Sequence, residues 1–593
     1  MANRDFIFQS QVEHQNKSHI LTLTKWQLIW ETTSSQNASG SHVTEPLLCH
    51  DACLDLKEVV GVKPIKIPSK SSIVSLKKAH KVDENVPYCI EMQPIGPVGF
   101  SVYVITRAGG HKWRCKQTSF QCKDSNLCQQ WINMIKEALR APVFNRPQKL
   151  VVFVNPFSGK KKAVKIYREK VLPLFELADI KVTLIETQRQ NHARDLVKDS
   201  LDLSDVDGLI CVGGDGMFSE ILNGLLNRTE HDNEVEETSS FDPVPPDIRI
   251  GIIPAGSTNT IVYTTTGVSD VITSTLHIVL GDSIGIDVNS VNVDDQFIRY
   301  SVTMLGYGYM GDLLKDSDSN RWMGPKRYNW SGTKKFLANN AYYGEIKYRL
   351  SSNSDSHPTD EVKCVAGCDV CYRAMEGCSS SLCDSKNESV DFSAGGADPE
   401  GSGKYYLQYN MRYRLLYIGF NASNQDEWHT VIGKFVAVNM VTMSCSCDLS
   451  PPGMSPYCHL GDGCMDLILV SDCSRIDFLK FLMRTAKGEE RHKLDFIQMH
   501  RVKEFTFRPL TEESDLDSIS SSEQLSPSKI AKLRRQTSRT SVWNCDGEVI
   551  HHPKINVRVH CQLVKLFARG VEDLNATVDQ KCETCCNPTF EKL

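Results

Sequence analysis

Three short apolar runs, "KLVVFV", "GLICV" and "IRIGIIP", each stop at a loop of small or polar residues: "NPFSGKKK", "GGDG" and "AGST". A helix-like stretch follows each loop ("AVKIYREKVLPLFEL", "MFSEILNGLL", "NTIVYTTTG"), and the pair "KVTLIET" and "NHARDLVKDS" stands between the first and second. Uniformly apolar strands are buried on both faces. Alternation with helices therefore requires a parallel α/β sheet with its loops gathered at the C-terminal ends of the strands. Small residues let backbone N–H groups approach phosphate, and the helix N-termini that follow favour negative charge. One such turn would be ordinary; three on successive units point to a phosphate site. The first is not a P-loop, because Lys160 is followed by Lys161 and not by Ser or Thr.

The flanks have a different texture. Residues 1–142 alternate apolar and polar in short runs and close on "SNLCQQWINMIKEALRA", where Leu127, Trp131, Ile135 and Leu139 share one helical face and Ser125 or Asn126 is the expected N-cap. Strands closed by one Trp-bearing helix resemble a pleckstrin homology domain. Lys112, Arg114 and Lys116 beside a turn are candidates for a phosphoinositide head group or for a solvated basic edge. Beyond about residue 290 strands dominate. The spans 351–403 and 511–540 are polar and poor in aromatics, and are expected to be disordered insertions. The resulting architecture is multidomain α/β plus β: a module at 1–142, an α/β nucleotide-binding domain at 145–290, a strand-rich domain at 291–570 and a tail at 571–593. A chain of 593 residues has room for it at about 150 residues per domain.

Composition excludes several function classes. Net charge is -5, so no global basic field points to nucleic acid as a partner. The opening "MANRDFIFQS" lacks a secretion pattern, and no apolar run reaches the roughly 18 residues of a membrane span. The 22 cysteines, scattered through so long a chain, read as reduced thiols of a cytoplasmic protein, and any lipid-facing role is peripheral.

Five segments in order, "FVNPFSGKK", "VGGDGMFSEILNGLL", "IGIIPAGSTNT", "HLGDGCMDLILV" and "WNCDGEV", resemble the diacylglycerol kinase catalytic family, which includes diacylglycerol, sphingosine and ceramide kinases. "LGYGYMGDLLKDSDSNRWMG", the Cys-x₃-Cys-x₂-Cys cluster and "VRVHCQLVKLFARG" are most similar to the ceramide kinase branch. The resemblance covers about 145–570. It implies transfer of the γ-phosphate of ATP, with Mg²⁺, to the primary hydroxyl of ceramide, giving ceramide 1-phosphate. Sphingosine or diacylglycerol as acceptor, and a non-catalytic lipid-binding adaptor, are the alternatives. It also implies association with Golgi or plasma membrane and Ca²⁺ sensitivity through calmodulin.

Residue by residue, the resemblance puts Asn155, Pro156, Phe157, Ser158 and Gly159 on the first nucleotide loop, and Thr187, Glu220, Gly256, Ser257 and Thr258 on further ATP contacts. Arg321 and Arg327 match arginines facing the ATP phosphates, and Asp546, Gly547 and Glu548 match a late "DGE" contact. Asp215 matches the general base. Gly214, Gly216 and Met217 flank it near the substrate hydroxyl, and Asp312 is a candidate contact to the lipid head. A carboxylate suits this role, because a primary hydroxyl is too weak an acid to ionise unaided near neutral pH. A Mg²⁺ ligand or a turn-stabilising residue is the other reading of Asp215.

Other features stay open. Asp462 and Asp466 in "GDGCMD" are spaced to hold Mg²⁺ through water or to build a turn. Cys364, Cys368 and Cys371 could bind Zn²⁺ with a fourth ligand from Cys378, Cys383 or elsewhere, or be reduced thiols. "GYGYMG" at 306–311 matches a dinucleotide fingerprint but lacks the acidic residue about 20 positions on, so that reading is rejected. "RIDFLKFLMRTAKG" is a basic, apolar helix in which Phe478, Phe481, Leu482 and Met483 are candidates for calmodulin, a membrane surface or simple core packing. Cys582, Cys585 and Cys586 are candidate acylation sites in the tail.

Overall fold

The three loop-ending runs form adjacent parallel strands. In the computed structural model, which describes residues 5–33, 52–65, 98–157, 161–234, 242–324, 326–351, 357–383, 428–511 and 539–573, the N-terminal strands come first. β1 (Phe6–His14), β2 (Lys17–Thr24), β3 (Gln27–Thr32), β4 (Ala52–Asp55), β5 (Val59–Ile65), β6 (Gly99–Arg107) and β7 (Trp113–Gln121) make an antiparallel sheet ordered β4-β3-β2-β1-β7-β6-β5. Helix Ser125–Leu139 closes it, with Trp131 and Ile135 fully buried and the Trp131 indole donating to Ser10 Oγ at 2.8 Å. Its N-cap is Asp124, ahead of the expected Ser125 or Asn126, because the Asp124 carboxylate accepts from Leu127 N at 2.8 Å.

The α/β unit follows with β8 (Lys149–Val154), β9 (Lys181–Glu186), β10 (Gly208–Gly213) and β11 (Arg249–Pro254), ordered β9-β8-β10-β11 and all parallel. β10 and β11 are buried along their whole length, as their apolar runs require, and the buried Arg249 at the start of β11 donates to Gly281 O at 2.7 Å. The chain moves outward from β8 to β9, then crosses back to β10. The order therefore reverses between β8 and β10, and loops there cannot cover the crevice at the strand ends. The helical run expected over "AVKIYREKVLPLFEL" is Ala163–Ile166, then a wider turn at Tyr167–Val171, then Leu172–Leu177. Pro173 has no N–H to give the preceding turn, which accounts for the widening.

The strand-rich unit contains β12 (Ile284–Val293), β13 (Gln296–Ser301), β14 (Met304–Gly308), β15 (Tyr342–Leu350), β16 (Trp428–Val441), β17 (Met465–Ser471), β18 (Ile497–Pro509), β19 (Trp543–Cys545), β20 (Glu548–Ile550) and β21 (Ile555–Leu566). β21 runs antiparallel to β12 and β18 and meets β11 in parallel at Ile250↔Leu566, so the expected boundary near 290 cuts through one continuous sheet. Helices are more frequent here than the sequence led us to expect: Tyr309–Ser319, Lys326–Ala338, Asp369–Cys383 and Arg475–Lys487. One of them corrects the expectation of disorder over 351–403, since residues 357–383 are described. The rest of that span from 384 on, residues 512–538, and Cys582, Cys585 and Cys586 lie outside the described residues.

The N-terminal module docks on the α/β unit at two places: β5 and the closing helix meet the turn at Asp179, which pairs with Lys63 at 2.8 Å and with Lys136 at 2.5 Å, and the start of β7 meets the helix Val271–Leu280. Trp113 is buried, donates its backbone N–H to Thr273 Oγ1 at 3.0 Å, and packs against the tilted His277 ring with ring centres 3.9 Å apart. Arg114 pairs with Asp270 at 2.7 Å and 3.2 Å. Arg114 is therefore a docking residue, not a free head-group ligand beside Lys112 and Lys116. The tail starts later than expected, because Glu572 accepts from the Trp113 indole at 3.0 Å and pairs with Arg107 at 2.9 Å. No helix among the described residues is long and apolar enough to cross a membrane.

Candidate active site

The loop after β10 and the loop after β11 touch backbone to backbone. A Cβ on Gly256 would lie 2.5 Å from Gly214 Cα, closer than side chains allow, and one on Gly214 would crowd Gly256 Cα at 3.1 Å. Gly216 meets nothing within 4 Å and stands open. Helix Asp215–Asp232 starts at this contact with Gly214 as its N-cap, presenting the positive end of 18 residues of aligned peptide dipoles. Beside it, Asn155 Oδ1 accepts from Phe157 N at 2.9 Å, which folds the first loop into a tight turn at the β8–β10 crevice and leaves Phe157 exposed. Ser158 and Gly159 lie outside the described residues. Thr187 is buried, its N–H donating to Val154 O at 2.9 Å at the same strand ends.

Asp215 faces across that contact. Its Oδ2 accepts from Thr260 N at 3.0 Å and its Oδ1 from Ile261 N at 3.1 Å, so the carboxylate caps the helix Thr260–Thr266. Asn259 adopts a left-handed conformation (φ 54°) and accepts from Gly256 N at 2.9 Å, turning the chain so that these amides face Asp215. Burial raises the Asp215 pKa above the usual carboxylate value; the two amides oppose this, and the Asp546 charge adds to it. Ser257 and Thr258 lie in the turn between Gly256 and Asn259. Cys445 joins the group, its thiol donating to Thr303 O at 3.4 Å and pushed well up by burial and by the Asp546 and Asp215 charges.

Met217, expected beside the substrate hydroxyl, belongs instead to the core under the loop, 5% exposed and with its methyl beneath Gly213. The "DGE" segment arrives from the far end of the chain and is a clamp. Asp546 Oδ1 accepts from Thr303 Oγ1 at 2.5 Å and from Ser301 Oγ, Thr303 N and Met304 N, each at 3.0 Å. Its Oδ2 accepts from Val302 N at 2.9 Å. With all five donors on one buried carboxylate, Asp546 fixes the β13–β14 link and is not left open as an ATP contact. Gly547 (φ 88°) makes the turn that Asp546 begins.

Glu548 pairs with Arg299, whose other nitrogen donates to Ser219 Oγ at 2.9 Å, tying β20 to helix Asp215–Asp232. Arg299 had no motif to mark it in the sequence. Glu220 and Glu548 line one cleft of about 450 Å³ with Arg194, Asn223 and Arg299. Glu220 is raised by burial, opposed by the Asn191 and Ala193 amides, and raised further by Glu548. A cavity of about 720 Å³ lies in the N-terminal module. Glu13, Asp55 and Glu58 line it with Lys116, a poor setting for an anionic head group.

Other candidates are occupied elsewhere. Asp312 accepts from Tyr342 Oη and Ser541 Oγ, both at 2.6 Å, so both oxygens hold helix Tyr309–Ser319 to its neighbours. Arg327 faces Asp318 at 4.0 Å and donates to the Tyr328 hydroxyl at 2.7 Å; the Arg321 side chain lies outside the described residues. The glycines of 306–311 serve packing, since a Cβ on Gly311 would collide with Val542 O. Phe478 and Phe481 are core residues, Phe478 stacking on Phe336, and Leu482 packs partly buried beside them; of the four candidates Met483 lies on the exposed face of helix Arg475–Lys487, with Ile476 and Leu479.

Asp466 is Arg501's counter-ion and not a water-reaching Mg²⁺ ligand. Arg501 Nε lies 2.8 Å away, Ser455 Oγ donates at 2.6 Å, and both charged side chains are buried. Asp466→Asn is therefore expected to destabilise the fold by about 3 kcal/mol, read as a lowered urea midpoint. That is the low end for breaking a buried pair, because Asp360 still faces Arg501. An unchanged midpoint with weakened Mg²⁺ dependence would restore the metal reading. Asp462 sits apart from the nucleotide loops, beside the cysteine cluster and Asp287.

Comparison with known proteins bears on the whole chain. Residues 8–135 match the ceramide kinase PH domain, 149–291 the diacylglycerol kinase catalytic domain and 417–586 the ceramide kinase C-terminal domain. The chain is 40% identical over 481 residues to a Homo sapiens protein named ceramide kinase, covering 80% of this chain and 84% of that one. It is also 40% identical over 487 residues to the Mus musculus ceramide kinase, covering 80% and 85%. It is 31% identical over 478 residues to Caenorhabditis elegans ceramide kinase 1, covering 79% and 74%.

Proposed function

The chain belongs to the ceramide kinase family, and on that premise we propose that it transfers the γ-phosphate of ATP to the primary hydroxyl of ceramide at a membrane surface. The observation that carries the reading is the Gly214–Gly256 contact with the Asp215 carboxylate held beside it by Thr260 N and Ile261 N. The glycines let the loops after β10 and β11 pack backbone to backbone, beside the β8–β10 crevice where the strand order reverses. Asn155, Pro156 and Phe157 border that crevice, with Thr187 and the Gly256–Thr258 turn. Backbone N–H groups and the Asp215–Asp232 helix N-terminus receive the phosphates there.

Mg²⁺ carried on ATP supplies charge neutralisation for the moving phosphoryl group, and Asp215 is the carboxylate on that loop. Asp215 takes the proton of the acceptor hydroxyl as the oxygen–phosphorus bond forms. The helix amides orient the carboxylate, and its raised pKa makes it a better proton acceptor than an exposed aspartate. Turnover by purified protein with ATP and Mg²⁺, compared across ceramide, sphingosine and diacylglycerol, tests the reading. Preference for ceramide is expected; a preference for either other lipid overturns it.

The route to lipid is an exposed apolar face. Trp330 and Leu337 are more than half exposed on helix Lys326–Ala338, as are Ile476 and Met483 on helix Arg475–Lys487, and the Phe336–Phe478 stack joins the two helices. Trp322 is 84% exposed just before the first. Aromatic and aliphatic side chains on paired amphipathic helices fit the interfacial region of a bilayer. The double variant W330S/I476S is expected to bind lipid vesicles at least roughly tenfold more weakly, while turning over detergent-dispersed ceramide normally. Unchanged vesicle binding would move the membrane contact elsewhere, and calcium-dependent capture by calmodulin that I476S abolishes would assign this face to calmodulin.

A further inference from the structure

Four metal-ligand atoms from two distant parts of the chain converge beside β21. Cys364 and Cys368 precede helix Asp369–Cys383, Cys371 lies in its first turn, and His459 lies in the "HLGDG" turn before β17. Their three Sγ atoms and a ring nitrogen all lie within 4.8 Å of one another. Cys364 Sγ is 3.7 Å from Cys371 Sγ, and Cys368 Sγ is 3.3 Å from His459 Nδ1. All three thiols are free. A tetrahedron with zinc–sulfur bonds of about 2.3 Å has sulfur–sulfur edges of about 3.8 Å, and a zinc–nitrogen bond of about 2.0 Å gives a sulfur–nitrogen edge of about 3.5 Å. The two separations match those edges.

Two independent observations point the same way. His459 is fully buried, and its Nε2 has no partner among the described residues; Asp462 Oδ2, three residues on, is likewise buried without one. An imidazole bound to metal through Nδ1 carries its proton on Nε2, and a carboxylate is a common acceptor for that proton. The second observation concerns what holds the segment in place. From Glu361 to Glu376 no residue is fully buried, so this stretch has no apolar core of its own. Polar contacts to the rest of the chain include Gln562 Nε2 donating to Cys371 O at 2.7 Å and Ala366 N to Val571 O at 2.9 Å. Small elements without a core are ordinarily held by a metal or a disulfide.

We propose that Cys364, Cys368, Cys371 and His459 bind one structural Zn²⁺ that pins the segment 361–376 to the turn before β17. Cys378 and Cys383 are not needed as ligands. Three thiolates and one imidazole form a closed tetrahedral set, which suits zinc and leaves no open position for catalysis. Binding expels the thiol protons, so the site is lost to acid, to chelators and to thiol oxidation.

Metal analysis of the full chain, purified with reductant and without chelator, is expected to find about one zinc per chain. Cys368→Ser and His459→Ala should each lose it, while Cys53→Ser, an exposed thiol of the N-terminal module, should keep it. Should the ligand variants fail to fold, a mercurial thiol reagent added to the native protein with a chromophoric chelator should release one equivalent. The cobalt-substituted protein should show a thiolate-to-cobalt charge-transfer band. Native protein that takes up no zinc after zinc addition, or zinc retained by both variants, overturns the proposal. The readout needs no lipid, so its failure leaves the kinase reading untouched.

Discussion

Asp215→Asn should lower kcat by a factor of about 10²–10⁴, the usual contribution of a positioned general base, while ATP still binds. Asparagine keeps one oxygen for the Thr260 and Ile261 amides but cannot take a proton. The fold should survive the change. Burial raises the folded-state pKa of Asp215, the amides resist, and Asp546 raises it further, the net effect being upward. A carboxylate raised in this way stabilises the fold most when it is protonated. That contribution is withdrawn as pH climbs from the unfolded value through the folded one. Removing the charge therefore relieves the folded protein near neutral pH and offsets part of the lost capping. Turnover of the wild type should fall on the acid side around a pKa above the ordinary aspartate value. Pre-steady-state kinetics with nucleotide-binding controls check both points. Near-normal turnover in Asp215→Asn would leave this carboxylate as the cap of helix Thr260–Thr266 and nothing more.

Asp546→Ala should destabilise the protein by about 3–5 kcal/mol. It strips the acceptor from five donors on residues 301–304, and each buried donor left bare costs about 1–3 kcal/mol before water and relaxation recover some of it. Alanine is also less tolerant than aspartate of the left-handed backbone at this position (φ 48°). The link joins β13 to β14 and lies against Cys445 and Asp215, so activity should fall together with stability. A lowered urea midpoint and a parallel loss of turnover are the expected results. Loss of turnover with an unchanged midpoint would return Asp546 to the nucleotide contacts.

The contrast between the two aspartates shows what could be read in advance. Asp215 stands in a glycine loop, 213–216, that is legible along the chain, although the Thr260 and Ile261 amides that its carboxylate caps belong to the next strand–loop–helix unit. Asp546 stands in an equally plain motif, "CDGEV", yet its partners lie about 240 positions earlier, and nothing local indicates that its carboxylate is already filled. Asp466 and Asp312 repeat the pattern: acidic residues near glycines look like ligands until a distant Arg501, Tyr342 or Ser541 takes their oxygens. Phe478 and Phe481 differ from Ile476 and Met483 only in which side of one helix meets Phe336 and Tyr309.

By itself the sequence determined the strand–helix alternation of 149–266, the glycine loops at the strand ends, the closing helix of the N-terminal module and the family. These rest on periodicity, turn chemistry and ordered motifs, which are properties of neighbouring residues. Only the tertiary structure decided that β21 joins β11 and makes one sheet of two expected domains, that Arg114 docks and does not face solvent, and that His459 meets three cysteines some 90 residues earlier. Such contacts arise from closing long loops, whose entropic cost grows only slowly with length, so chain distance does little to limit which distant partners meet.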